Sequence, residues 1–145
     1  MPTYMLIMRS TEEGFAASRA QDMESVITAM GQYNEAMMDA GVMVGGGGLS
    51  DPAEGAVVHF SSSAPTVTAG AYGPVESLFS GYWTIHVDDL EAAIGWAKRC
   101  PMVPGTALEI RRVTDESDFA DFADNEYLQK EAGWREELEG KPSEG

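Results

Sequence analysis

The segment DMESVITAMGQYNEAMMDAG, residues 22–41, restricts the fold more than any other stretch, because it reads as one helix with both ends marked. Met23, Val26, Ile27, Met30, Tyr33, Met37 and Met38 recur at three- and four-residue spacing and make one apolar stripe. Asp22 stands where its carboxylate accepts the first orphan amides, and Gly41 stops the helix because glycine takes positive φ cheaply. VMVGGGGLS follows at once and reads as a strand. Its glycine run admits three roles: a phosphate-cradling loop, a linker, or a strand that needs bare backbone. A P-loop requires Lys and then Ser or Thr after the last glycine, and a dinucleotide fold requires a helix there. LSDPAEG supplies neither. A linker would separate two halves that need each other's helices. The glycines therefore strip side chains from one short strand and allow a bulge or the close approach of a backbone or ligand.

The other segments complete an order. YMLIM is an apolar run of strand length, and STEEGFAASRAQ reads as a polar loop. GAVVHFS and PTVTAG are two short strands separated by the turn-prone SSSAP. YGPVESLFS is a loop, and GYWTIHV is a strand with Tyr82, Thr84 and His86 on one face and Trp83, Ile85 and Val87 on the other. DDLEAAIGWAKRC is a second helix, with Asp88 and Glu91 as a capping-box variant, a buried stripe of Leu90, Ala93, Ile94 and Ala97, and Pro101 beyond its end. TALEIRRV is the last core strand. Strand, helix, strands, helix and strand in this order predict an α+β, ferredoxin-like antiparallel sheet with both helices on one face. A second face apolar enough to avoid water predicts a homodimer of stacked sheets. This core is expected over residues 1–113. An acidic extension is expected over 114–145, with a short docking helix carrying Leu128, Trp134 and Leu138 and a disordered end.

Charge narrows the partners. Nine basic against 24 acidic residues, a net −15, leave no clustered cations for a nucleic acid or an anionic membrane surface. No apolar run approaches the roughly 20 residues that span a bilayer. The start MPTYMLIMRS lacks the basic beginning of a signal peptide, and the single Cys100 permits no intrachain disulfide, so a cytoplasmic protein with a packed thiol is expected. The methionines read as core filling. Ser61–Ser63 form a turn-like cluster without a nucleophile-elbow context. Two histidines without a spaced Cys or carboxylate cluster define no metal site, and no cofactor is expected. His86 is the stronger candidate for proton transfer, because it shares a face with Tyr82 and Thr84. Glu76, in the loop ahead, reaches the same region, and His59 is a second strand histidine. His86, Tyr82 and Glu76 are thus the candidate catalytic residues, and the partner expected is a small organic ligand.

YMLIM, MGQYNEAMMDAGVMVGGGGL, VTAGAYGPVES, SGYWTIHVDDLEAAIGWAKRCP and LEIRRV together resemble the YCII-related proteins, in the branch marked by Asp-Gly-Pro-Phe, over about residues 3–113. The resemblance implies a dimeric α+β barrel, a fold shared with muconolactone-isomerase-like enzymes and cofactor-independent oxygenases, with a pocket for a small molecule. The motif residues Tyr72, Gly73 and Pro74, with Thr84 on the His86 face and the strand histidine His59, are the candidate ligand-binding residues, and the resemblance implies isomerase-like or cofactor-independent acid–base chemistry. The motif falls on Tyr72, Gly73, Pro74 and Val75, a phenol standing for the acid, and a glutamate often found in the glycine segment falls on Gly47. The missing carboxylates and the acidic tail point to the alternative, a non-catalytic regulatory or protein-interaction module.

Overall fold

The computed structural model describes residues 1–61 and 63–140, and the chain forms two units, Met1–Arg112 and Val113–Gly145. The expectations for Ser62 in the serine cluster and for the end of the tail, residues 141–145, fall outside the described residues. In the first unit β1 (Thr3–Ser10), β2 (Met43–Gly48), β5 (Gly81–His86) and β6 (Thr106–Arg112) form one antiparallel sheet in the order β2-β5-β1-β6. With α2 (Met23–Asp39) between β1 and β2, and α3 (Leu90–Lys98) between β5 and β6, this is the ferredoxin-like order. β3 (Ala56–His59) and β4 (Thr66–Ala69) pair with each other as a separate hairpin outside that sheet.

The helices cover one face. Leu6, Trp83, Ile85 and Val87 from the sheet pack with Tyr33 and Met37 of α2 and Ala93 of α3. Leu6, Met37 and Ile85 are wholly buried, each stabilising the fold by about 1.5–3 kcal/mol relative to an exposed position. The Tyr33 and Trp83 rings meet edge to face at 5.4 Å. Tyr33 Oη donates to Trp96 O at 2.8 Å and Trp83 Nε1 donates to Asn34 Oδ1 at 2.7 Å, so the polar ends of both rings are satisfied. The α2 stripe is narrower than its periodicity predicts: Tyr33 and Met37 are buried, whereas Met23, Ile27 and Met38 are exposed. Asp22 caps α2 through Ser25 N as expected, but α3 is capped by Asp89, which accepts from Ala92 N, and not by Asp88. Leu90 stays exposed while Trp96 and Cys100 join the packing.

STEEGFAASRAQ is not a loop. It holds α1 (Glu12–Arg19), capped by Thr11, whose hydroxyl accepts from Gly14 N. Thr11 N and Oγ1 both donate to Gly105 O, at 3.1 and 2.9 Å, and Gly14 packs so tightly there that a Cβ would lie 2.4 Å from that oxygen.

The expected dimeric barrel is corrected by the sheet itself. It is open, with β2 and β6 as its two edges and, among the described residues, no strand closing them. The homodimer rested on an apolar second face, and the register puts Thr3, Arg9, Tyr82, Thr84, His86, Glu109 and Arg111 there alongside Met5 and Ile7. Ile7 is already buried within one chain, and Arg9 Nε donates to Glu109 Oε1 at 3.0 Å across the face. A polar face of this kind does not call for a second sheet, and the inference to a homodimer falls with it.

In the second unit a 3-10 segment, Glu116–Phe122, opens on a reciprocal cap in which Asp115 accepts from Ser117 N and Asp118 accepts from Asp115 N. Asn125 then caps α4 (Glu126–Glu139). Of the three apolar residues expected to dock this helix, Leu128 is half-buried, while Trp134 and Leu138 are exposed. Among the described residues no helix is long and apolar enough to cross a membrane.

Candidate functional site

Three strand ends meet where β1 and β2 leave the sheet and β5 enters it. Ser80 N donates to Met8 O at 3.1 Å, and Leu49 N donates to Ser80 O at 2.9 Å, which pins the ends together. The glycine run belongs to this construction. Gly46 pairs with Trp83, and a Cβ there would lie 2.8 Å from Tyr82 O and 3.1 Å from Trp83 Cδ1. Opposite Gly48, a Cβ on Gly81 would come within 2.9 Å of Met8 Sδ. Bare backbone lets β2 approach β5 and leaves a cavity of about 350 Å³ toward α2, lined by Met8, Val26, Met30, Asn34 and Trp83.

Two further cavities adjoin it, and all three share Met8 and Ser80. One, of about 240 Å³, lies among Phe15, Leu49, Val75, Leu78 and Phe79, with Arg19 and Asp51 as its charged residues. The other, of about 340 Å³, runs past Met23, Met30, Met102 and Val103 and includes Arg9 and Arg19. Sizes near 300 Å³ and a mostly apolar lining are those of small-molecule sites.

The charged groups are held in place. Arg9 is tied to Glu109 and donates from Nη1 to Leu78 O at 3.3 Å, fastening the 75–80 loop to β1. Arg19 lies over the Phe15 ring at 4.5 Å and donates from Nη2 to Asp51 Oδ2 at 3.3 Å. That exposed pair contributes under about 1 kcal/mol to stability.

Strong titration shifts occur elsewhere, in the packing of α2 on α3. Burial, reinforced by Cys100 and opposed by Arg99, raises the Tyr33 phenol. Burial pushes the Cys100 thiol up from 9.0 to about 11. Because the folded state holds this proton more tightly than the unfolded chain, its contribution to stability is full below pH 9 and is lost as pH rises through 11. Alkylation tracks the thiolate, so at pH 8 the native thiol is expected to react roughly 100-fold more slowly than the unfolded one. Iodoacetamide kinetics with and without urea check this, and equal rates would contradict it.

The residues singled out from sequence fall in several places. His86 ends β5, with Nδ1 hydrogen-bonded to Thr3 Oγ1 at 2.8 Å. It lies five residues beyond Gly81, roughly 16 Å along the strand from the cavity end. Thr84 shares its face of the sheet. Tyr82 joins the lining of the cavity beside α2. Glu76 is exposed in a 3-10 turn, Val75–Ser77, whose neighbours Val75 and Leu78 line the smallest of the three. Pro74 opens that turn and its carbonyl accepts from Ser77 N at 2.8 Å, so Gly73 and Pro74 shape the rim. Tyr72 is exposed and lines a further hollow of about 480 Å³ beside the β3–β4 hairpin, which shares Leu49, Ser50, Pro52, Leu78 and Phe79 with the smallest of the three. His59, also exposed, ends β3 opposite Thr66. Among the described residues no three His, Cys, Asp or Glu side chains gather to hold a metal ion. Sequence reasoning missed Phe15, Arg19 and Asp51. The signal was present in Thr11-Glu12-Glu13, a capped and acidic helix start, and in the four-residue spacing of Phe15 and Arg19.

An open four-stranded antiparallel sheet backed by helices, with hollows gathered at one end, defines a ferredoxin-like α+β domain. The YCII-related domain matches residues 3–117, and the chain belongs to that family. The match is to the YCII-related domain as a whole, which corrects the narrower assignment to the Asp-Gly-Pro-Phe branch: the chain reads Tyr72-Gly73-Pro74-Val75 at that motif. No curated protein matches the chain.

Proposed function

We propose that the first unit binds a small, mostly apolar organic molecule where the three cavities meet at Met8 and Ser80. That convergence carries the reading, since the hollows adjoin one another within one unit and the surface lining them is mostly apolar. The lone thiol Cys100 supports a reducing, cytoplasmic setting.

The Thr3–His86 bond favours a second reading. It orients the ring on the polar sheet face, where His86 would carry a proton for a ligand bound there. One experiment separates the two. Hits from a fragment screen are measured again on Ser80→Phe, which fills the junction of the cavities, and on His86→Ala. Binding lost in Ser80→Phe and kept in His86→Ala supports the cavity. The reverse pattern overturns it in favour of the histidine.

A further inference from the structure

We infer that the molecule bound at this site is a small carboxylic acid with an aromatic or branched apolar body, its carboxylate held by Arg19 in place of Asp51. The inference rests on the cavity reading above and names its ligand class.

Charge distribution is the first argument. In a chain with a net −15, the cavity of about 340 Å³ is lined by two arginines, Arg9 and Arg19, and by no Asp or Glu. The adjoining cavity of about 240 Å³ adds one acid, Asp51, and that acid already bonds Arg19. A cation facing apolar walls in so acidic a protein selects an anionic head on an apolar body.

Geometry is the second. Arg19 lines both cavities, so one guanidinium serves both spaces. The Phe15 ring, centred 4.5 Å from its Cζ, supports the guanidinium, whose planar N–H fork suits two-pronged recognition of a carboxylate. Asp51 is reached through Nη2 at 3.3 Å, and its other oxygen accepts from Ala53 N at 3.0 Å. Exchanging this long, solvent-exposed contact for a ligand carboxylate costs little. Asp51 then stays fastened to its own turn. Arg9 is less available, being held by Glu109 and Leu78 O. Its charge favours the anion without requiring contact.

Matched pairs of probes test the inference. Benzoate, phenylacetate and 3-methylbutanoate are titrated beside their carboxamides into the full chain, and into Arg19→Gln and Asp51→Asn, by ligand-observed NMR. Carboxylates are expected to bind at least about tenfold tighter than the amides, the worth of a charge-assisted hydrogen bond. Arg19→Gln abolishes that difference, and an unchanged circular dichroism spectrum shows the variant still folded. Asp51→Asn tightens carboxylate binding by removing the competitor. Equal affinities within each pair, or a difference that survives Arg19→Gln, overturn the inference and leave the cavity reading standing. Failure of every probe to bind overturns the cavity reading and this inference together.

Discussion

Gly14→Ala is expected to lower the stability of the first unit by about 3 kcal/mol, the upper part of the range for forcing atoms into a filled space. The new methyl would sit 2.4 Å from Gly105 O and 2.6 Å from the carbonyl carbon, and both are backbone atoms that cannot swing aside. Gly105 is itself fixed at φ +87°, with a Cβ position 2.9 Å from Gly14 Cα, so the two glycines form one mutual contact. To admit a methyl, α1 must lift from the turn before β6 and stretch the bonds from Thr11 to Gly105 O. Gly31→Ala is the control. Gly31 lies within α2 with open space at its Cβ, so alanine there is expected to stabilise the fold by about 1 kcal/mol. Urea midpoints of the two variants should move in opposite directions. A shared direction would show that the Gly14–Gly105 contact is not as close as described.

Trp83→Ala is expected to cost about 3–5 kcal/mol, the range for emptying a large aromatic site in a core. Trp83 is buried, meets Tyr33 edge to face and donates to Asn34 Oδ1. Its removal therefore deletes packing between β5 and α2 and leaves an amide oxygen without that donor. Trp83→Phe keeps most of the volume and should cost less than half as much. Denaturation followed by circular dichroism checks the series, and a loss under about 1 kcal/mol for alanine would place Trp83 outside the core. The indole also borders the cavity beside α2, so the alanine variant is expected to enlarge that hollow.

Local signals in the sequence were legible where a single residue type decides a local conformation. Asp22 and the three- and four-residue spacing after it placed α2, and the alternation of Trp83, Ile85 and Val87 placed the inner face of β5. Periodicity names a face without giving its width, which is why Met23, Ile27 and Met38 read as core and proved exposed. Asp88 and Asp89 are both eligible caps, and only the path of the chain chooses between them. α1 was missed because eight residues make a marginal helix alone, and its support is the distant turn at Gly105. Losing α1 meant losing Phe15 and Arg19, and with them the charged side of the site. The two short strands were legible as strands, but pairing is a long-range property, and their separation from the main sheet was not. The barrel and the dimer came from resemblance and from an over-apolar reading of the second face, which its register then populated with polar side chains.

Methionine methyl NMR tests the placement of the site most directly, because the residues serve as built-in reporters. Met8 lines all three cavities and Met30 two of them, whereas Met5 lies on the opposite sheet face, paired with Thr84 and two residues along from Thr3, the partner of His86. With methyl-labelled protein and saturating phenylacetate, the Met8 and Met30 signals are expected to shift while Met5 and the exposed Met38 stay still. A bound probe that moves Met5 and leaves Met8 unchanged would contradict the account.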